Sequence, residues 1–186
     1  MGNFLLRLIN KLASTFSRRH DNDFFVDGTG YRIISYSKQR VVVSPHHLYV
    51  RRSLQVPSEV HYGGKTYTVW GLSRKAFAHS RLQQVSLPET VAQVEESAFL
   101  GCHRLTQVSL PASINAIRSD AFHDCTSLTV LRLAATEPPT INYLAFDRDT
   151  PPAVRLEVPR ESLELYSNAE SWKDFGTIVP LQNTSE

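Results

Sequence analysis

Apolar positions recur along the chain at a fixed spacing: Leu82, Val85 and Leu87, then Leu105, Val108 and Leu110, then Leu128, Leu131 and Leu133, each set 23 residues after the last. Within a set the letters alternate. In Val85-Ser86-Leu87 the two apolar side chains fall on one face of a strand and the serine on the other. A second signal runs in phase, Ala76-Phe77, Ala98-Phe99, Ala121-Phe122 and Ala145-Phe146, at steps of 22, 23 and 24 residues. Seven and four places ahead of these alanines stand Val69 and Leu72, Val91 and Val94, and Ile114 and Ile117. In the last copy Ile141 is alone, because Pro138 takes the other place. Pro88 and Pro111 follow their strands and stop them, since proline cannot donate to a continuing ladder. A segment that keeps its apolar letters while its polar letters vary is one coil of a stack. The pattern predicts a mainly β solenoid of about four to five coils of about 23 residues, each lending a short strand to a parallel sheet, with a ladder of phenyl rings inside.

A period of roughly 20 to 29 residues with an LxxLxL core is the leucine-rich-repeat signature. The finer pattern resembles the BspA-type leucine-rich repeats of bacterial surface proteins, whose repeat reads LxxVxLPxxVxxIxxxAFxxC. Residues 82–102, LQQVSLPETVAQVEESAFLGC, match it through Cys102. FFVDGTGYRIISYSKQRVVV (24–43) and VPSEVHYGGKTYTV (56–69) look like the strand-rich entry segment of such proteins, and residues 156–181 look like their closing segment. The resemblance implies a secreted or cell-surface setting and an adhesive or other interaction role.

These signals divide the chain into an amphipathic basic helix or disordered leader (1–21), an N-terminal β-rich cap (22–68), leucine-rich repeats (69–158), a C-terminal cap (159–181) and a tail (182–186). Asp27-Gly28-Thr29-Gly30 and Gly63-Gly64 lie between alternating runs and predict β-hairpins in the first cap. Pro159 precedes a helical stretch around Ser162 to Ala169. Tyr166, Trp172, Phe175 and Ile178 supply the apolar mass to cover the last coil, whose core an open stack would leave exposed.

Composition adds little: 41% hydrophobic and 20% charged residues describe an ordinary globular chain. Charge distribution adds more, because the net +2 is split unevenly. Residues 1–52 hold nine Lys/Arg and three Asp/Glu, a balance of +6, so the rest carries eleven against fifteen, a balance of −4. No RNA-binding signature or helix-turn-helix pattern accompanies the basic front, so nucleic acid is not expected as a partner. In the leader, Phe4, Leu5, Leu8, Ile9, Leu12 and Phe16 share one helical stripe. Arg7 and Lys11 break the apolar run, so it makes no clear signal peptide, and Leu6 breaks the myristoylation pattern. The stripe is expected to pack on the domain or stay loose, with membrane contact the disfavoured alternative.

Candidate chemistry is sparse. Gly64-Lys65-Thr66 has the end of a phosphate-binding loop, but Glu59 stands where the earlier glycine belongs, so a hairpin turn explains it. Cys102 and Cys125 share the repeat position of Ser80, a small core-lining site that makes them inert free thiols; whether they ever pair stays open. His79, His103 and His123 fall in successive turns without ligand spacing, and Asp147 and Asp149 lack the glycine and distal glutamate of a calcium loop. No catalytic, cofactor-binding or metal-binding residue is assigned; the expectation is a protein that is not an enzyme and takes no cofactor.

The outward strand positions form three columns: Gln83, Thr106 and Thr129; Gln84, Gln107 and Val130; Ser86, Ser109 and Arg132. They are short, polar and mostly uncharged, and make the candidate partner-binding face, with simple solvation of a sheet face as the bland alternative. Together with the resemblance they point to a non-catalytic leucine-rich-repeat binding module for protein or glycan, an adhesin or interaction protein at a bacterial cell surface, working as a monomer. Two other readings are an intracellular or translocated interaction protein whose N-terminal helix meets a membrane, and a hydrolase of unrecognised type. The compartment is left open.

Overall fold

The computed structural model describes residues 22–45, 52–142, 144–147 and 150–182. The leader helix expected over 1–21, Asp149 and the tail after Gln182 lie outside the described residues. Two turns with paired positive φ start the architecture. β1 (Asp23–Val26) and β2 (Thr29–Ser35) pair antiparallel across Asp27-Gly28, so that Thr29 and Gly30 belong to the strand rather than the turn. β5 (Glu59–Tyr62) and β6 (Lys65–Leu72) pair antiparallel across Gly63-Gly64, whose φ values of +57° and +74° suit the tight twist of a two-residue hairpin. β3 (Arg40–Val43) joins them, antiparallel to β2 and parallel to β6, in a five-stranded sheet of order β1-β2-β3-β6-β5.

The repeat strands form a second sheet. β7 (Gln84–Ser86), β9 (Gln107–Leu110) and β11 (Val130–Leu133) are the strands that the alternation predicts, and all pair parallel. Three more strands extend this sheet. β4 (Ser53–Gln55) lies beside β7, while β13 (Arg155–Val158) and β14 (Thr177–Pro180) follow β11, giving the order β14-β13-β11-β9-β7-β4. One inward row, Leu54, Val85, Val108, Leu131, Leu156 and Ile178, runs across all six strands in register. Pro180 sits in the edge strand β14, where the lack of an N–H discourages a seventh strand. A third, narrow parallel sheet of two-residue strands, β8 (Gln93–Val94), β10 (Ala116–Ile117) and β12 (Thr140–Ile141), lines another side of the coils. Two residues are too few to alternate, so the sequence shows these positions only as recurrent apolar letters.

The rings of Phe77, Phe99, Phe122 and Phe146 stack at centroid spacings of 5.4, 5.2 and 5.0 Å. The backbone repeats the same step, because Phe77, Phe99 and Phe122 donate their N–H groups to Ala98, Ala121 and Ala145 of the next coil. Side chains bind coil to coil as well: Thr90 Oγ1 donates to the Val69 carbonyl, Ser113 Oγ to Val91, and the Glu89 carboxylate accepts N–H bonds from Ala112 and Ser113. At the far end come a four-residue helix α1 (Thr150–Ala153), a 3-10 turn (Arg160–Ser162) and α2 (Leu163–Asn168). Gly176 passes so close to α1 that a Cβ there would overlap the Pro152 carbonyl, while its N–H donates to Pro151 at 3.0 Å. Among the described residues no helix is long and apolar enough to cross a membrane.

Candidate functional site

Because Val85, Val108, Leu131 and Leu156 point into the core, their neighbours on either side in each strand point out. The register places Ser53, Gln84, Gln107, Val130, Arg155 and Thr177 in one outward row, and Gln55, Ser86, Ser109, Arg132, Glu157 and Val179 in the next. Gln84 is exposed, and Gln107, Val130, Ser86, Ser109 and Arg132 are half-buried. Six of the nine residues picked from the sequence therefore lie side by side on one open face.

In the remaining column two side chains also serve the scaffold. Thr106 Oγ1 donates to the Gln83 carbonyl at 2.9 Å, and Thr129 Oγ1 donates to the Thr106 carbonyl at 3.1 Å. The Thr106 and Thr129 hydroxyls thus tie each coil to the one before, while Gln83 takes part through its backbone carbonyl. A threonine returning one repeat later, at 106 and 129, was the signal for this role.

Arg132 is likewise engaged. Its Nε lies 2.6 Å from Glu157 Oε2, and Arg155 Nε lies 3.2 Å from Glu157 Oε1, so one carboxylate is held between two guanidinium groups. Glu157 and Arg155 are missing from the nine sequence-picked positions, although Arg155-Leu156-Glu157-Val158 carries the same alternation as the earlier strands. The coil before β13 is longer, with 25 residues from Leu131 to its register partner Leu156, which puts this strand off the 23-residue frame.

The other chemistry-bearing side chains serve the coils. His123 Nδ1 lies 2.8 Å from Asp147 Oδ1, His103 Nδ1 lies 3.7 Å from Asp124 Oδ1, and Asp147 Oδ2 also accepts the Asp124 N–H. Each pair joins one turn to the next. Cys102 and Cys125 are free and fully buried, and their thiols donate to the carbonyls of Phe77 and Phe99 one coil back. Burial pushes both thiols above the ordinary range, and for Cys125 the neighbouring Cys102 adds to the effect. A neutral maleimide is therefore expected to leave the folded protein unlabelled at pH 7.5 and to modify both cysteines after unfolding in guanidinium, because the thiolate is the reactive species. Rapid labelling of the native state, read by mass spectrometry, would show the thiols to be accessible instead.

Comparison with known proteins agrees with the geometry. Residues 71–167, just over half of the chain, match the family model described as "BspA type Leucine rich repeat region (6 copies)". A leucine-rich repeat protein from Bacteroides capillosus is similar in structure, with a TM-score of 0.59 at 17% identity over 87% of this chain and 100% of that one. A leucine rich cell surface protein from Faecalibacterium prausnitzii gives 0.58 at 16% identity over 89% of this chain and 44% of its own. The T. pallidum leucine rich repeat protein gives 0.54 at 20% identity, covering 87% and 83%. At these identities the likeness speaks for the fold. No curated protein matches the chain in sequence.

Proposed function

The chain belongs to the BspA-type leucine-rich-repeat family, and from that premise we propose that it is a non-catalytic binding module that meets a protein or a glycan through the open face of its six-stranded sheet. One observation carries the reading: two in-register rows of mostly polar side chains, from Ser53 to Thr177 and from Gln55 to Val179, run across six parallel strands and are uncharged from β4 to β9. A flat polar row of this kind offers many hydrogen-bonding groups at a regular spacing of about 4.8 Å, which suits an extended partner. The thiols, the turn histidines and the repeated threonines support a non-catalytic role, because the scaffold already uses them.

In the same reading, residues 22–68 cap one end of a stack of four to five coils over 69–158, and the helical segment 159–181 caps the other. The protein works as a monomer. The cell-surface description of the Faecalibacterium relative supports placing the contact at a bacterial surface, as in adhesion.

The immobilised 186-residue chain, offered a panel of extracellular-matrix proteins and glycans and the source cell's lysate, is expected to retain a partner. Gln107→Arg, which sets a long cation in the middle of the face, is expected to lower that retention roughly tenfold or more with an unchanged unfolding midpoint. Equal retention by the two proteins would remove the face from the contact.

A further inference from the structure

We infer that the C-terminal end of the open face is a carboxylate-binding site that takes a sparsely acidic segment of a partner protein. The inference rests on the binding-module reading above and names the chemistry of its ligand.

The site is built around Glu157. Its side chain is only 6% exposed, while those of the two arginines that hold it, Arg132 and Arg155, are 36% and 45% exposed. The buried carboxylate accepts a hydrogen bond from Arg132 Nε at 2.6 Å and forms an ion pair with Arg155, whose Nε lies 3.2 Å away. A guanidinium carries five donors in a rigid fork, so fixing the Nε edge orients the terminal Nη groups without consuming them. One oriented fork, with a second guanidinium held beside it by charge on a half-exposed face, is a geometry for recognition of a second carboxylate. Glu157 thus acts as a positioning residue: it sets the arginines in place and offsets one of their two charges.

A cleft of about 710 Å³ adjoins this cluster, lined by Arg155, Pro159, Arg160, Glu161, Val179 and other residues of the same end. Arg160 is exposed and makes no ion pair among the described residues. The charges gathered here, Arg132, Arg155 and Arg160 against Glu157 and Glu161, sum to +1. Elsewhere the outward rows from β4 to β9 are uncharged, being Ser53, Gln84, Gln107, Gln55, Ser86 and Ser109. The excess of positive charge on the face is therefore confined to one end, on a body whose sequence after residue 52 has a balance of −4. An anion that meets this face is steered to that end of its rows.

The same arithmetic selects the ligand. One surplus positive charge and a rim glutamate match one carboxylate at a time, beside the apolar walls of Pro159 and Val179. A densely sulfated glycan brings many charges that this cleft cannot neutralise, and Glu161 opposes it.

The test is an NMR titration of the full chain with an acetylated, amidated pentapeptide of sequence GEAEG and with its GQAQG counterpart. The first is expected to shift the Nε–H resonances of Arg155 and Arg160 saturably and in a salt-sensitive way, and the second to leave them in place. Arg155→Gln leaves Glu157 paired with Arg132, so the fold is kept, and it is expected to weaken the GEAEG peptide about tenfold or more. Arg160→Ala acts in the same direction. Equal responses to the two peptides overturn the site. So do shifts confined to Gln84 and Gln107, or a heparin-derived oligosaccharide that saturates the cleft while the peptide does not. In each of these cases a continued loss of retention in Gln107→Arg keeps the wider reading of the face intact, so the two failures are told apart.

Discussion

Replacing Phe99 by alanine is expected to lower the unfolding free energy by about 3–5 kcal/mol, in the range of other large-to-small core changes. Phe99 has no exposed surface and lies between Phe77 at 5.4 Å and Phe122 at 5.2 Å, with interplanar angles of only 14° and 3°. Truncation removes a ring from both stacks at once, and each aromatic pair contributes about 0.5–1.5 kcal/mol beyond its buried area. The gap has little means of closing, because the coils on either side are spaced by backbone hydrogen bonds from Phe77 to Ala98 and from Phe99 to Ala121. In a stack each coil is held only by its neighbours, so a fault in the middle also weakens the coupling between the two halves. Ser86→Ala, on the outward row, is expected to change stability by less than about 0.5 kcal/mol. Equal denaturation midpoints for Phe99→Ala and Ser86→Ala would contradict the register described here.

Trp172→Ala is the second large effect, again about 3–5 kcal/mol, and it acts at the end of the stack. Trp172 is 1% exposed, its ring stacks on Phe175 at 5.3 Å, and it meets Tyr166 edge-on at 5.5 Å. The ladder continues into this group, because Phe146 packs edge-on against Phe175 at 5.6 Å. Two hydrogen bonds fasten it to the preceding loop: Trp172 Nε1–H donates to the Pro139 carbonyl and the Tyr166 hydroxyl to Ala135, both at 2.9 Å. The alanine variant loses the apolar cover and leaves the Pro139 carbonyl without this donor. Trp172→Phe keeps a six-membered ring in the cover and loses the hydrogen bond and the pyrrole part of the indole, so it is expected to cost less, about 1–3 kcal/mol. Thermal unfolding of the three proteins gives the order wild type, Trp172→Phe, Trp172→Ala. A Trp172→Ala protein as stable as wild type would show that the last coil does not depend on this cover.

The main sheet was legible because its strands combine three signals at one spacing: alternation in Val85-Ser86-Leu87 and its repeats, a proline stop, and the Ala-Phe step. The two hairpins were legible from turn chemistry at Asp27-Gly28 and Gly63-Gly64. What escaped depends on neighbours that lie far apart in the chain. Ser53–Gln55 has too little apolar content to announce a strand, and becomes one because Leu54 completes the row that Val85 begins. Thr177–Pro180 reads as cover for the last coil, yet Ile178 pairs with Leu156 and makes it a sixth strand.

The candidate face was legible in the same measure. Alternation identified which residues point outward, but not which of their polar groups are already in use. Thr106 and Thr129 turned out to bind the coil before them, and Arg132 to be held by Glu157. That last contact follows from the register between β11 and β13, which an irregular coil conceals.

On the proposed reading, a partner lies across the open rows of the six-stranded sheet. Hydrogen–deuterium exchange of the full chain, alone and saturated with the ligand recovered on the immobilised protein, tests it most directly. Added protection is expected in 84–86, 107–110, 130–133 and 155–158, with no change at the turns 73–80, 97–103 and 120–125. Protection confined to those turns, with the strands unchanged, would contradict it.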